Sequence, residues 1–417
     1  HTFYTDYFSP RSLVSHNSGM TEKQLRKIDL LPKIRNKNFL TPELSPMFSV
    51  KDDDLNHVIG LLTRIADGEG YQSDSGAQGH RGYDGRMMFI WIGAALEIPY
   101  KVHKLLSTLG PKLYFFRLPR VEETEDEYFN RKDDDFHIKK ERVKVALFEY
   151  LYYFEMNPHI IIEEEQDAES IIWNGHNKDD GDDADGEIDE DGMLPKVQMH
   201  PEDDNELAHR IIIRLTIMLA HLRATVSVWD TSGQGSDYSY TLANIEDPSR
   251  AMTQMRNLAR GHALSQGRTS ISMDDIPIII HTVLSTATIE RVRLFELLVK
   301  HKGILKTSII CDSLNIAPPT ARHTMTELKA TKLVDDITDK EVYNAEMKIQ
   351  LKSKFVWFLT DEFRILKEIY PPHRRTKIES VGTTEQNTVN EEHSYNVPSS
   401  IRNKPACGGV FFFQSPQ

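Results

Sequence analysis

Cysteine is nearly absent from this chain: Cys311 and Cys407 are the two in 417 residues. Two thiols build neither a disulfide framework nor a four-ligand zinc site, so no metal is expected. A packed core in a reducing compartment, the cytoplasm, is expected instead. No apolar run approaches the roughly 20 residues that span a bilayer, so no membrane partner is expected. The chain opens at His1 without a basic segment followed by an apolar one, so no leader is expected, and a start inside a domain is. No G-x-x-x-x-G-K-[ST] occurs, which removes the commonest cradle for nucleotide phosphates. Basic residues are in deficit, with 50 Lys+Arg against 63 Asp+Glu and a formal net charge of -13. That balance disfavours nucleic acid. The excess acid is concentrated, however, from Glu122 to Asp135 and from Glu163 to Glu206, around GDDADGEIDEDG. Acidic blocks of this kind are solvated insertions, and the remainder is much nearer neutral.

What is present is a globular composition, 39% hydrophobic and 27% charged, in a chain long enough for about two or three domains. Up to residue 120 short apolar runs alternate with helical patterns. Asn38–Thr41 reads as a strand ended by Pro42. Asp52–Ala66 reads as a one-sided helix through Leu55, Val58, Ile59, Leu62 and Ile65. A glycine-rich stretch, 67–85, follows. Met87–Ile92 is a continuous apolar run of the kind buried on both faces, Tyr100–Thr108 is helical, and Leu113–Phe116 is a further strand. This alternation predicts an α/β layer. Residues 121–204 read as an acidic insertion with one helix, Glu141–Phe154. Residues 205–290 begin with an amphipathic helix, Glu206–Arg223, whose apolar face includes Leu207, Ile211 and Leu215. Residues 291–362 form a small separate domain, and 363–417 a polar tail without periodicity.

The most specific stretch is Pro248–Ile276, PSRAMTQMRNLARGHALSQGRTSISMDDI. An arginine opens an amphipathic helix, a small-residue turn Gly261-His262-Ala263 follows, and Ser272-Met273-Asp274-Asp275 starts the next helix. This resembles the helical lid of AAA+ ATPases, closest to the minichromosome maintenance helicases. The resemblance implies a partial P-loop NTPase-like α/β core over 1–120 with a helical lid over 205–290. It implies ATP and Mg²⁺ as cofactors of the intact protein and a homo-oligomeric ring as its assembly. It also implies that Arg250, with Arg256 as the alternative, contacts the terminal phosphate. Glu43, after the Asn38–Thr41 strand, would be the catalytic carboxylate; equally, Pro42-Glu43 would simply open a helix. The 67–85 segment sits where that clade places a pore hairpin, making His80 and Arg81 phosphate contacts. Gly93-Ala94 departs from the polar residue the family carries after this strand. Lys112 falls at or beside the arginine-finger slot, with Arg117 as the alternative. Without a phosphate loop, the chain alone is expected to hold no ATP tightly and not to hydrolyse it. That loop is expected either to lie before His1 or to be lost.

The second strong pattern is Arg291–Thr360. A first helix ends at Lys302-Gly303, Thr307–Leu314 is a second, Asn315–Pro318 a tight turn, and Pro319–Ala330 a third. Leu333-Val334 and Ile349–Leu359 read as paired strands. This looks like a winged helix-turn-helix, whose third helix would present Arg322, His323, Thr326 and Lys329 to DNA. Twelve basic and eight acidic residues in this segment give it a local charge of +4. A protein-binding winged helix is the alternative. Three functions follow as expectations: the C-terminal portion of an ATP-driven motor acting on DNA or RNA, a non-catalytic winged-helix regulator with a degenerate oligomerisation module, or an ATP-driven protein remodeller.

Overall fold

The computed structural model describes residues 2–109 apart from 16, 18, 67, 69, 76–78 and 86; 112–118; 125–129; 134–155; 161–165; 172–173; 194–197; 199–369 apart from 227, 231–237, 241, 340 and 344; and 410–412. The GDDADGEIDEDG block, Gly110-Pro111, Cys407 and most of the expected tail lie outside these residues. Among the described residues no helix is long and apolar enough to cross a membrane.

The protein is mixed α/β, with small parallel and antiparallel sheets. Strand β1 (Thr2–Tyr4) is followed by helices α1 (Pro10–Leu13), α2 (Glu22–Ile28) and α3 (Leu30–Ile34), then β2 (Lys37–Thr41), α4 (Ser45–Phe48) and α5 (Asp52–Ile65). The hairpin β3 (Gly70–Ser75) and β4 (Gly79–Asp84) precedes β5 (Phe89–Gly93), α6 (Tyr100–Leu109) and β6 (Tyr114–Phe116). β1, β2 and β5 form a parallel sheet in that order, with Tyr4, Leu40 and Ile92 in one row across it. Side chains alternate across the strands. Phe39, Phe89 and Trp91 point into a core closed by Leu31, Ile59 and Leu62, and α5 carries three aspartates in its first turn, where the helix dipole favours them. The opposite face carries Tyr4 and Ile90, which are exposed, and Leu40 and Ile92, which are partly so. The apolar run 87–92 predicts a strand covered on both sides; only one side is covered.

The insertion contributes α7 (Glu125–Phe129), α8 (Asp134–Glu155), β7 (Ile161–Glu165), β8 (Ile172–Trp173), which extends the β3–β4 hairpin, and β9 (Leu194–Val197), paired with β7. α9 (Glu206–Arg223) starts at Asn205, whose side chain accepts from the Ala208 amide. Its buried face includes Ile211, Leu215 and Leu219, whereas Leu207 lies exposed beside the cap. β10 (Val228–Asp230) and β11 (Tyr238–Tyr240) pair before α10 (Ser249–Ser265), α11 (Ile276–Thr286) and α12 (Ile289–Lys300).

β12 (Ile304–Lys306), α13 (Thr307–Leu314), α14 (Pro318–Ala330), β13 (Val334–Asp336) and β14 (Lys348–Leu351) follow, with the three strands antiparallel in the order β12-β14-β13. Ser353–Leu359 is a 3₁₀ helix, not the strand the sequence predicts; Phe355 and Phe358, three apart, both enter the core. α15 (Asp361–Ile369) continues past residue 362, burying Phe363 and Leu366. One apolar cluster runs through residues 205–290 and 291–366 without a break. β15 (Val410–Phe412), in the expected tail, pairs antiparallel with β6.

The expected helix start at Asp274-Asp275 is built around a buried carboxylate. Asp275 accepts from Arg268 (2.7 and 2.9 Å), His262 (2.7 Å) and the Ser272 amide (2.8 Å). Burial alone would raise its pKa; these donors outweigh that and hold it down to about 2, from 3.8. A depressed carboxyl stabilises the fold above its unfolded pKa and loses that contribution as pH falls through the folded one. Thermal unfolding between pH 5 and pH 2 is therefore expected to lose about 2 kcal/mol in the wild type, mostly below about pH 4. Asp275→Asn should be less stable by a similar amount at neutral pH and show a flatter acid profile.

Candidate functional site

The carboxyl ends of β2 and β5 are fastened together. The Ala94 amide donates to Thr41 O (3.2 Å) and the Leu44 amide to Ala94 O (2.7 Å). Trp91 Nε1 donates to the buried Thr41 hydroxyl (3.1 Å). Gly93 has no side chain because Leu44 occupies its place: a Cβ there would lie 2.5 Å from Leu44 Cδ1. Glu43 is exposed at this edge and accepts the Ser45 amide (2.8 Å). Hydrogen bonding from Ser45 holds its carboxyl below the usual range. Glu43 lies before the cap of α4, which starts at Ser45 with no acidic residue in its first turn, so Pro42-Glu43 is not the helix start of the plainer expectation.

Beyond Ala95 lies a crevice of about 500 Å³, between the carboxyl ends of β5 and β6 and the start of α12. Crevices in this position are where open α/β sheets bind ligands. Its polar lining is Glu97, Tyr100, His103, Arg117, Glu290 and Arg293. Arg117 Nη2 donates to Ala287 O (2.8 Å), and His281 Nε2 donates to Arg117 O (2.6 Å). Burial, followed by the charges of Arg117, Arg223 and Arg291, pushes His103 down to about 3, so it is neutral at physiological pH. Among the described residues no serine, threonine, cysteine or lysine lines the crevice. The lining is therefore suited to binding and holds no nucleophile of those kinds. Arg117 was expected only as an alternative to Lys112, and Arg293 was not singled out; its place in the crevice depends on the turn between α11 and α12.

The sequence-predicted residues are not gathered here. Arg250 is exposed in the first turn of α10, and its charge acts on Glu246 and Tyr114, at the end of β6 away from Arg117. Burial raises the Glu246 carboxyl, with Arg223 and Arg250 opposing the shift. Arg256 is half-buried on the same helix, its Nε without a hydrogen-bond partner. Lys112 donates its ammonium to Thr63 O, a carbonyl in the last turn of α5. That bond corrects its placement as a finger offered to a neighbour.

In the hairpin, His80 is exposed and 3.0 Å from Gln72 Oε1, whereas Arg81 is buried at 2% exposure. Successive strand residues face opposite ways, so the pair cannot both reach a phosphate; the expectation for Arg81 is corrected. Tyr83, on the same inward side, donates to the buried Asp29 (2.8 Å). Gly70 and Gly82 allow β3 and β4 to close, since a Cβ on Gly82 would sit 2.3 Å from Tyr71 O.

On α14, Arg322 and Lys329 are exposed, with Lys329 3.0 Å from Asp336. His323 is half-buried near Glu327 (3.8 Å), and the Thr326 hydroxyl donates to Arg322 O (2.8 Å). The 337–347 loop adds two residues the sequence reading passed over, Tyr343 (92% exposed) and Val342. Among the described residues, His200, Glu202 and Asp203 are the metal-compatible grouping, and the two acids are exposed.

No family model, curated protein or solved structure matches this chain.

The fit of Leu44 to Gly93 yields a test of the edge. Gly93→Ala should cost about 1–3 kcal/mol in urea unfolding. Leu44→Ala should relieve that clash, so the double variant is expected to be more stable than the two single losses summed.

Proposed function

We propose that this chain is the C-terminal portion of a nucleic-acid-associated motor of AAA+ type, carrying a helical lid and a winged helix-turn-helix. The observation that supports this most is the half-covered parallel sheet. Parallel sheets are normally covered on both faces, yet Tyr4, Leu40, Ile90 and Ile92 leave one face bare. Among the described residues, β5 has β2 as its hydrogen-bonded neighbour, and β15, the partner of β6, packs alongside it. A strand, phosphate loop and helix supplied from outside these 417 residues would cover that face, would take the place beside β5 that β15 fills here, and would bring an anion nest to the mouth of the crevice. The β3–β4 hairpin between α5 and β5, and the order α9, α10, α11 after β6, agree with the same reading.

The residues present do not make an ATP–Mg²⁺ site on their own. Glu43 follows a proline where a second acid is needed, the Thr41 hydroxyl is engaged by Trp91, and among the described residues neither Lys112 nor any other lysine lines the crevice. The chain alone is therefore not proposed to hydrolyse ATP. Arg250 remains the proposed phosphate sensor, reaching a nucleotide only with a shift of the lid or from a neighbouring subunit of a homo-oligomeric ring.

Helix–strand–helix–turn–helix connectivity followed by β13, a loop and β14 supports the winged-helix reading of 291–362. Arg322 and Lys329 would contact phosphates, with Thr326 and His323 towards the bases and Tyr343 on the wing. DNA is the proposed partner, with RNA the other outcome of the test. The second reading, a non-catalytic DNA-binding regulator, is favoured by the engagement of Lys112 with Thr63 O.

Fluorescence anisotropy of the full chain with duplex DNA and with RNA, titrated with salt, tests the interface. Log affinity should fall linearly with log salt, and Arg322→Ala and Lys329→Ala should each reduce the slope by about 1. Salt-independent binding, or variants with an unchanged slope, would remove α14 from the interface.

A further inference from the structure

α8 is 22 residues long, about 33 Å at the α-helical rise, and the described side chains along it, 137–150 and 152, are all exposed. Several are large and apolar: Ile138 (52%), Val145 (56%), Phe148 (73%) and Tyr152 (57%). Their spacing of seven, three and four residues puts them on one stripe, with Glu141 completing it and held by Lys144 at 2.6 Å. An apolar stripe of this length does not remain in water without a partner.

We propose that the stripe pairs, antiparallel, with α8 of a second copy of this chain. The charge on one flank, Arg142 and Glu149, points to a second copy and to the antiparallel direction. Arg142 and Glu149 lie along the same flank of the stripe, seven residues apart. An antiparallel pair crossing at Val145, the middle of the helix, sets Ile138 against Tyr152 of the second copy. It also brings Arg142 alongside Glu149 of the second copy, and the two-fold axis repeats that opposite-charge pair. A parallel pair instead sets Arg142 alongside His137, and Glu149 alongside Lys144, of the second copy, so Arg142 gains no acidic partner there. The other apolar strip of α8, Val143, Leu147 and Tyr150, is flanked by Lys139 and Lys140 and offers no such self-complementarity. The contact closes on two copies and is independent of a ring, which needs a head-to-tail surface.

Sedimentation velocity on the full chain over a range of concentrations tests this, with circular dichroism as a check on folding. The wild type should form dimers or even-numbered assemblies. Arg142→Glu should weaken the association about tenfold, and Arg142→Glu with Glu149→Arg should restore it. Val145→Glu, which sets two carboxylates together at the crossing, should abolish it. A monomeric wild type, association that ignores Arg142→Glu and Val145→Glu, or a double variant no tighter than Arg142→Glu alone would overturn the pairing.

Discussion

The C-terminal turn of α9 holds the protein together. A helix end leaves carbonyls without partners, and here two are taken by one buried guanidinium: Arg291 Nη1 donates to Leu222 O (2.9 Å) and Ala224 O (2.7 Å). The same arginine lies 3.8 Å from Glu327 on α14. Arg223, next along, donates to Leu106 O on α6 (3.2 Å) and faces the partly buried Glu246 (3.9 Å). His221 Nδ1 donates to Thr331 O (2.6 Å), leaving Nε2 to accept from Lys354 (2.8 Å). Burial lowers the His221 pKa, in keeping with the neutral ring this arrangement needs. Four consecutive residues thereby join the α/β layer, the lid helices and the C-terminal three-stranded unit.

This junction gives the functional proposal its physical content. The crevice is walled by α6 and β6 on one side and by the start of α12 on the other, and α12 begins two residues before Arg291. The Phe115 amide donates to Thr286 Oγ1 (3.0 Å), tying β6 to α11 just ahead of it. A ligand that moved α12 would act on the same arginine that positions α14. In the proposed motor, that is the route from a nucleotide at the sheet edge to the helix facing nucleic acid. The bare face of the parallel sheet is the complementary feature, an apolar surface that the described part of the chain leaves uncovered.

Local patterns were legible wherever one face of an element is buried. α9 and α13 begin and end where periodicity and caps put them, and the glycine-rich 67–85 stretch is a hairpin because Gly70 and Gly82 let its strands approach. The capping box at Thr21 and Gln24 announces α2 and was passed over. The reading of 349–359 as one strand missed that Phe355 and Phe358 are three apart, a helical spacing. What sequence could not give is where long polar side chains end. Lys112 looks available in the sequence but satisfies an α5 carbonyl, and Arg81 turns inward because its neighbour His80 turns out. Arg117 and Arg293, 176 positions apart, meet only through the packing of β6 against α11 and α12. The composition of 87–92 did announce a doubly buried strand, and that disagreement with the exposed Ile90 carries the functional reading.

Arg291 holds α14 to the end of α9, which Arg223 in turn ties to α6 of the α/β layer, and most else rests on that link. Electron spin resonance distances between labels at two exposed positions, Asp53 on α5 and Asp312 on α13, measure it in the full chain with its native cysteines replaced. The account predicts one narrow distance distribution, which broadens when Arg291 is changed to Gln while helical content is retained. A distribution already broad in the parent protein, or one that Arg291→Gln leaves unchanged, would contradict it.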